Sequence, residues 1–123
     1  MIGYVTLGTN DLERAEKFYD ALLAELGGKR VMSHERMRFY GSGPGKPLLA
    51  ICKPHDQKGA TAGNGTMLAL SAGTKEAVDR VYKKAIALGA SDEGAPGPRG
   101  TNFYGGYFRD LDGNKLVAFV MGS

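Results

Sequence analysis

Asn102–Met121 reads N-F-Y-G-G-Y-F-R-D-L-D-G-N-K-L-V-A-F-V-M. Phe103, Tyr104, Tyr107 and Phe108 crowd its first half, and the second half, Lys115 to Met121, is almost wholly apolar. Both halves suit extended backbone, because bulky and β-branched side chains pack well on a pleated surface. Between them stand Asp110, Asp112, Gly113 and Asn114, residue types that accept tight turns and positive φ at small steric cost. The stretch predicts a β-hairpin.

Upstream of the hairpin the chain divides into two similar halves. Ile2–Leu7 predicts a strand, and Asn10 an N-cap with Glu13 completing a capping box. Leu12, Ala15, Phe18, Tyr19, Leu22, Leu23 and Leu26 recur at three- and four-residue spacing, the buried stripe of a helix that Gly27 and Gly28 end. Lys29–Glu35, Arg36–Gly41 and Pro47–Lys53 predict three strands. The order then repeats. Thr66–Ala72 predicts a strand, and Thr74 caps a helix with apolar positions Val78, Val81, Tyr82, Ala85 and Ile86, closed by Gly89. A short strand at Ala90–Asp92, a loop over Glu93–Thr101 and the hairpin complete the half. The pattern is a βαβββ duplication in an α+β fold. Its expected divisions are a first module over 1–54, a polar linker over 55–64 and a second module over 65–123.

The closing hairpin is similar to that of the glyoxalase/bleomycin-resistance/extradiol-dioxygenase group, the vicinal oxygen chelate superfamily. Its members commonly end in F-x-D-P-D-G-N-x-[IL]-E, and the last Glu binds a catalytic metal. Here Val117 stands at that position. The resemblance covers nearly the whole chain and implies a glyoxalase-like cupped mixed sheet, completed within one chain or between the chains of a homodimer. It also implies four metal-ligand positions, which fall on Tyr4, Leu49, Met67 and Val117. None is His, Asp or Glu, and a divalent ion needs several such donors. No cofactor is expected, and no divalent metal.

Composition narrows the classes further. The 123 residues fit one domain, with 42% hydrophobic and 24% charged residues, the balance of an ordinary globular protein. The apolar run Leu116–Met121 is far short of the roughly 20 residues a membrane helix needs. The first residues lack the basic-then-apolar layout of a signal peptide, and Cys52 is the only cysteine. These features predict a cytoplasmic protein with no membrane partner. The net charge of +3 comes from scattered Lys and Arg residues, which argues against nucleic acid as a partner. His34 and His55 read as surface residues, Cys52 as a small core residue, and Gly41–Lys46 as a hairpin loop.

What remains is a pocket. Tyr4, Phe39 or Tyr40, Phe103, Tyr104 and Tyr107 are its candidate walls, and Arg38, Arg99 and Asn102 its candidate polar contacts. Apolar walls with a few placed donors suit a small aromatic or anionic ligand. The resemblance then implies a metal-free binding protein of the bleomycin-resistance type. Its alternatives are a lyase, isomerase or dioxygenase, with Tyr4, Tyr104 and Arg99 as acid/base or anion-stabilising groups, and a dimer whose cup its own side chains fill.

Overall fold

The structure is a computed structural model and describes residues 1–122. In chain order the first module is β1 (Tyr4–Gly8), α1 (Leu12–Ala24), β2 (Lys29–Ser33), β3 (Met37–Gly41) and β4 (Leu48–Cys52). The second is β5 (Leu68–Ser71), α2 (Lys75–Ala87), β6 (Ser91–Pro98), β7 (Phe103–Arg109) and β8 (Lys115–Met121). Each module folds its strands into one four-stranded sheet, ordered β1-β4-β3-β2 and β5-β8-β7-β6. In both, the first strand lies parallel to the last and the other pairs are antiparallel. The duplication expected from the sequence is the architecture found.

Helix α1 starts one residue later than expected. Asp11, with extended backbone, caps it by accepting the Arg14 N–H at 3.1 Å. Asn10 is unavailable because its amide is tied to the linker: Oδ1 accepts the Ala60 N–H at 2.7 Å, and Nδ2 donates to the Ala60 carbonyl. Thr74 caps α2 as expected, accepting the Ala77 N–H at 3.1 Å. The larger departure is β6, eight residues long where a short strand and a loop were expected. Its register slips between Asp92 and Gly94 and again between Gly94 and Gly97. Bulges and prolines are tolerated there because β6 is an edge strand, with one side free of the ladder. They erase the alternation by which a strand is recognised.

Each helix packs on one face of its own sheet, and α1 packs on α2. One core results, built from Leu7, Phe18, Tyr19, Leu22, Leu49 and Ile51 of the first module with Val78, Val81, Phe108, Leu116 and Ala118 of the second. Among the described residues no strand of one sheet packs on a strand of the other. The two sheets stay separate within the chain, and on their faces away from the helices Tyr4 and Met67 are exposed while Phe39, Ala50 and Val117 are buried.

The hairpin turn makes a second link between the modules. Within the turn, Gly113 (φ +87°) donates its N–H to the Asp110 carbonyl, and the Asp110 N–H reaches the Asn114 carbonyl at 2.9 Å. Asp112 Oδ1 accepts the Asn10 N–H at 2.9 Å and pairs with Arg14 at 3.3 Å. Asn114 Nδ2 donates to the Gly8 carbonyl at 2.9 Å, and the Tyr19 hydroxyl to Asp110 Oδ2 at 2.5 Å. The residues that announce the fold in the sequence therefore clasp the first module to the second.

Candidate functional site

Side chains alternate across a strand, so the core members on each strand decide what the open faces carry. On β7 and β8 the core takes Phe108, Leu116 and Ala118. Phe103, Gly105, Tyr107 and Arg109 of β7 therefore face the other way, as do Lys115, Val117 and Phe119 of β8. Phe103 and Phe119 stack with centroids 5.3 Å apart and ring planes 1° from parallel. The Tyr107 ring has two cations over it: the Arg99 guanidinium and the Lys115 ammonium each lie 5.5 Å from its centroid. Arg99 is held by donating Nη2 to the Ala95 carbonyl at 2.8 Å. Neither cation forms an ion pair among the described residues.

The first module's open face is also aromatic. Val5 and Leu7 join the core, so Tyr4 and Thr6 of β1 face outward. Tyr4, 56% exposed, meets the edge of Phe39 at 5.4 Å, and the His34 ring approaches Phe39 from another side at 5.9 Å. Met32 and Met67, both large and exposed, extend the apolar surface at the sheet margins.

A family model described as the Glyoxalase/Bleomycin resistance protein/Dioxygenase superfamily matches residues 1–118. The chain belongs to that superfamily. The crystal structure of a glyoxalase/bleomycin resistance protein from Albidiferax ferrireducens T118 matches with TM-score 0.92 and 37% identity, covering 99% of each chain. A glyoxalase/bleomycin resistance protein/dioxygenase family enzyme from Burkholderia phytofirmans PsJN matches at 24% identity and TM-score 0.78, over 98% of each chain. A lactoylglutathione lyase from Agrobacterium tumefaciens matches at 24% identity and TM-score 0.71, over 98% of this chain and 92% of its own. At such identities these last two show a shared fold alone. No curated protein matches the chain significantly.

For a glyoxalase superfamily protein the first question is whether the residues present suit a divalent metal. They do not. Val117 pairs with Ala69 across β8 and β5, and Thr6 with Ala50 across β1 and β4. Val117 and Ala50 are fully buried at the sheet centres. Leu49, a ligand position only by the resemblance, turns into the core instead, because its neighbours Leu48 and Ala50 take the other face. Met67 precedes β5 and is 45% exposed. Hydrocarbon side chains, a thioether and a lone phenol offer no competent ligand set. No three His, Cys, Asp or Glu residues gather elsewhere among the described residues.

Three candidates for the pocket lie on the wrong side of their sheet. Arg38 and Tyr40 alternate with Phe39 and so face α1. Arg38 Nε pairs with Glu16 at 2.5 Å, and Tyr40, 2% exposed, donates to the Glu16 carbonyl at 3.3 Å. Burial first, and then the Asp20 carboxylate, push the Tyr40 phenol well above its ordinary value. Tyr104 faces α2, donating to Asp79 Oδ1 at 2.7 Å with Lys75 5.5 Å from its ring centroid. That hydrogen bond raises its pKa, the wrong direction for a proton-transfer group near neutral pH. Asn102 lies just before β7, where its carbonyl accepts the Gly122 N–H at 3.0 Å. Tyr4, Arg99, Phe103 and Tyr107 remain on the open faces. Lys115 and His34 join them; sequence reasoning gives Lys115 no site role and reads His34 as a surface residue. The hairpin register carried the signal for Lys115: Tyr107 pairs with Val117, which sets Lys115 on the same face two residues away.

Proposed function

We propose that this protein binds a small aromatic anion, without a metal, in a cup assembled from two copies of the chain. The observation that carries the reading is Tyr107 under both Arg99 and Lys115. Such a ring offers an aromatic guest a stacking partner, and two cations without acidic partners offer its carboxylate or phenolate a counter-charge. The stacked Phe103 and Phe119 form an apolar floor beside them.

The dimer follows from the open faces. An aromatic sheet face with Tyr4, Met32 and Met67 exposed on it is an interaction surface, and within one chain the helices stand between the modules. A second copy supplies the missing wall when Tyr4 and Phe39 of one chain meet Tyr107 and Phe103 of the other. Neither nucleic acid nor membrane is a partner in this reading. No helix among the described residues is long and apolar enough to cross a bilayer, and the one thiol, Cys52, suits the cytoplasm.

Native mass spectrometry of the purified protein, combined with a thermal-shift screen of aromatic carboxylates, tests the proposal. A ligand at 100 times its dissociation constant stabilises by about 2.7 kcal/mol. Dimers that bind such compounds, and lose them in Tyr107→Ala, are the expected result. A monomer, stoichiometric zinc, nickel or iron, or no shift with any aromatic anion would overturn it.

A further inference from the structure

His34 and His55 are 21 positions apart in the sequence, yet both line one cleft of about 1090 Å³ at the end of the first sheet. Its walls are the β2–β3 turn, the segment after β4, and the β1–α1 junction at Thr9 and Asn10. Arg36, Lys53 and Lys58 also line it, against a single acidic wall residue, Glu35. Among the described residues none of these three cations is in an ion pair. The other carboxylate of the segment, Asp56, accepts the Lys58 backbone N–H at 3.0 Å.

The cleft is built rather than incidental. Arg36 Nη1 donates to the Lys53 carbonyl at 2.9 Å, and the Lys53 N–H returns a bond of 2.9 Å to the Arg36 carbonyl. This reciprocal pair fixes the turn against the departing chain. Gln57 has φ +66°, and no other non-glycine residue among those described has a positive φ. Such a conformation persists only where surroundings over-determine it, and it is common at ligand sites. Here the Gln57 N–H bonds the Pro54 carbonyl at 3.1 Å, curling the segment, and the Asn10–Ala60 bonds pin its far end.

We propose that this cleft is a second binding site, for a small organic polyanion bearing a phosphate or several carboxylates. A guanidinium suits a planar or tetrahedral oxyanion, and flexible lysines add charge around it. The volume exceeds what inorganic phosphate needs, so an organic body fits beside the anionic group. His34 borders both places, but none of Tyr4, Phe39, Arg99, Tyr107 or Lys115 lines the cleft, so its cationic wall lies apart from the aromatic cup.

Citrate and phenyl phosphate are the probes, titrated into isotopically labelled full-length protein and followed by NMR. Chloride at matched ionic strength is the control. Saturable shifts at residues 34–37 and 53–59 are expected with at least one probe, and which probe binds separates the phosphate source from the carboxylate one. Arg36→Gln weakens binding about tenfold, the usual effect of losing a charged hydrogen bond. Lys53→Gln with Lys58→Gln does the same, and replaces Arg36→Gln should that variant lose its native spectrum. Tyr107→Ala leaves this affinity unchanged, so failure of the cup and failure of the cleft are told apart. Shifts confined to other residues, no saturation at millimolar probe, or wild-type affinity in the Lys53/Lys58 variant would overturn the site.

Discussion

The Tyr19 hydroxyl, on the first helix, donates to Asp110 Oδ2 in the last hairpin across 91 residues of chain. Both groups are buried, Tyr19 at 1% and Asp110 at 6% exposure. Asp110 Oδ2 also accepts Asn114 Nδ2, while Oδ1 accepts the N–H groups of Asp112 and Asn114, each at 2.9 Å. A carboxylate so fully hydrogen-bonded is tolerated inside a protein, and removing it strands every donor at once. Asp110→Ala is expected to cost about 3 kcal/mol. Tyr19→Phe, which removes one donor and leaves three, costs about 1 to 2 kcal/mol. Urea unfolding of the two variants measures both, and equal losses would show that the turn does not depend on Asp110.

Alkaline pH attacks the same place. Burial, reinforced by Asp110, raises the Tyr19 pKa well above that of a free phenol, and burial raises Tyr40 as well. The folded state therefore holds protons that the unfolded chain releases from about pH 10 upward. Stability from these phenols is complete below that pH and falls as pH rises beyond it. Thermal melts at stepped alkaline pH are expected to show the decline, and Tyr19→Phe with Tyr40→Phe to flatten it.

Gly105 sets the shape of the second open face. A Cβ there would lie 2.7 Å from Phe103 Cε1 and 3.1 Å from Val117 Cγ2. Gly105→Ala must displace the Phe103 ring from Phe119, at a cost of about 1 kcal/mol or more for the overpacking. The proposed aromatic ligand then binds more weakly. Loss of stability with unchanged ligand affinity would separate the stack from the site.

Arg99→Gln removes one of the two cations over Tyr107 while leaving the core untouched. Affinity for a benzoate-like anion is expected to fall about tenfold, with melting temperature held. Prolonged dialysis against a chelator leaves both quantities unchanged if no metal takes part, and a fall in either would bring a metal back into the account.

The sequence made the module order, both helices and the hairpin legible because each rests on local chemistry: a 3.6-residue apolar stripe, a capping threonine, a glycine stop. It misled where one group serves a distant partner. Asn10 looks like a cap until Ala60 claims its amide, and β6 looks like a loop because Gly94, Pro96, Gly97 and Pro98 are allowed at a free edge. At the site, Tyr4, Arg99, Phe103 and Tyr107 were visible as residue types. Sorting them from Arg38, Tyr40 and Tyr104 required the strand register, since one step along a strand exchanges the helix side for the open side. That His34 and His55 line one cleft depends on a curled linker, and no periodicity encodes that.

The bulges have a meaning beyond local shape. Both outer edges of the protein are irregular: β2 slips between Arg30 and Met32, and β6 slips twice. Irregular edges refuse a new neighbour, which is how soluble sheets avoid stacking into fibrils. The opposite edges, β1 and β5, pair with β4 and β8 without a slip. The duplication has thus kept one device in both halves: the strand farthest from the parallel pair is the one whose ladder is spoiled against a further neighbour.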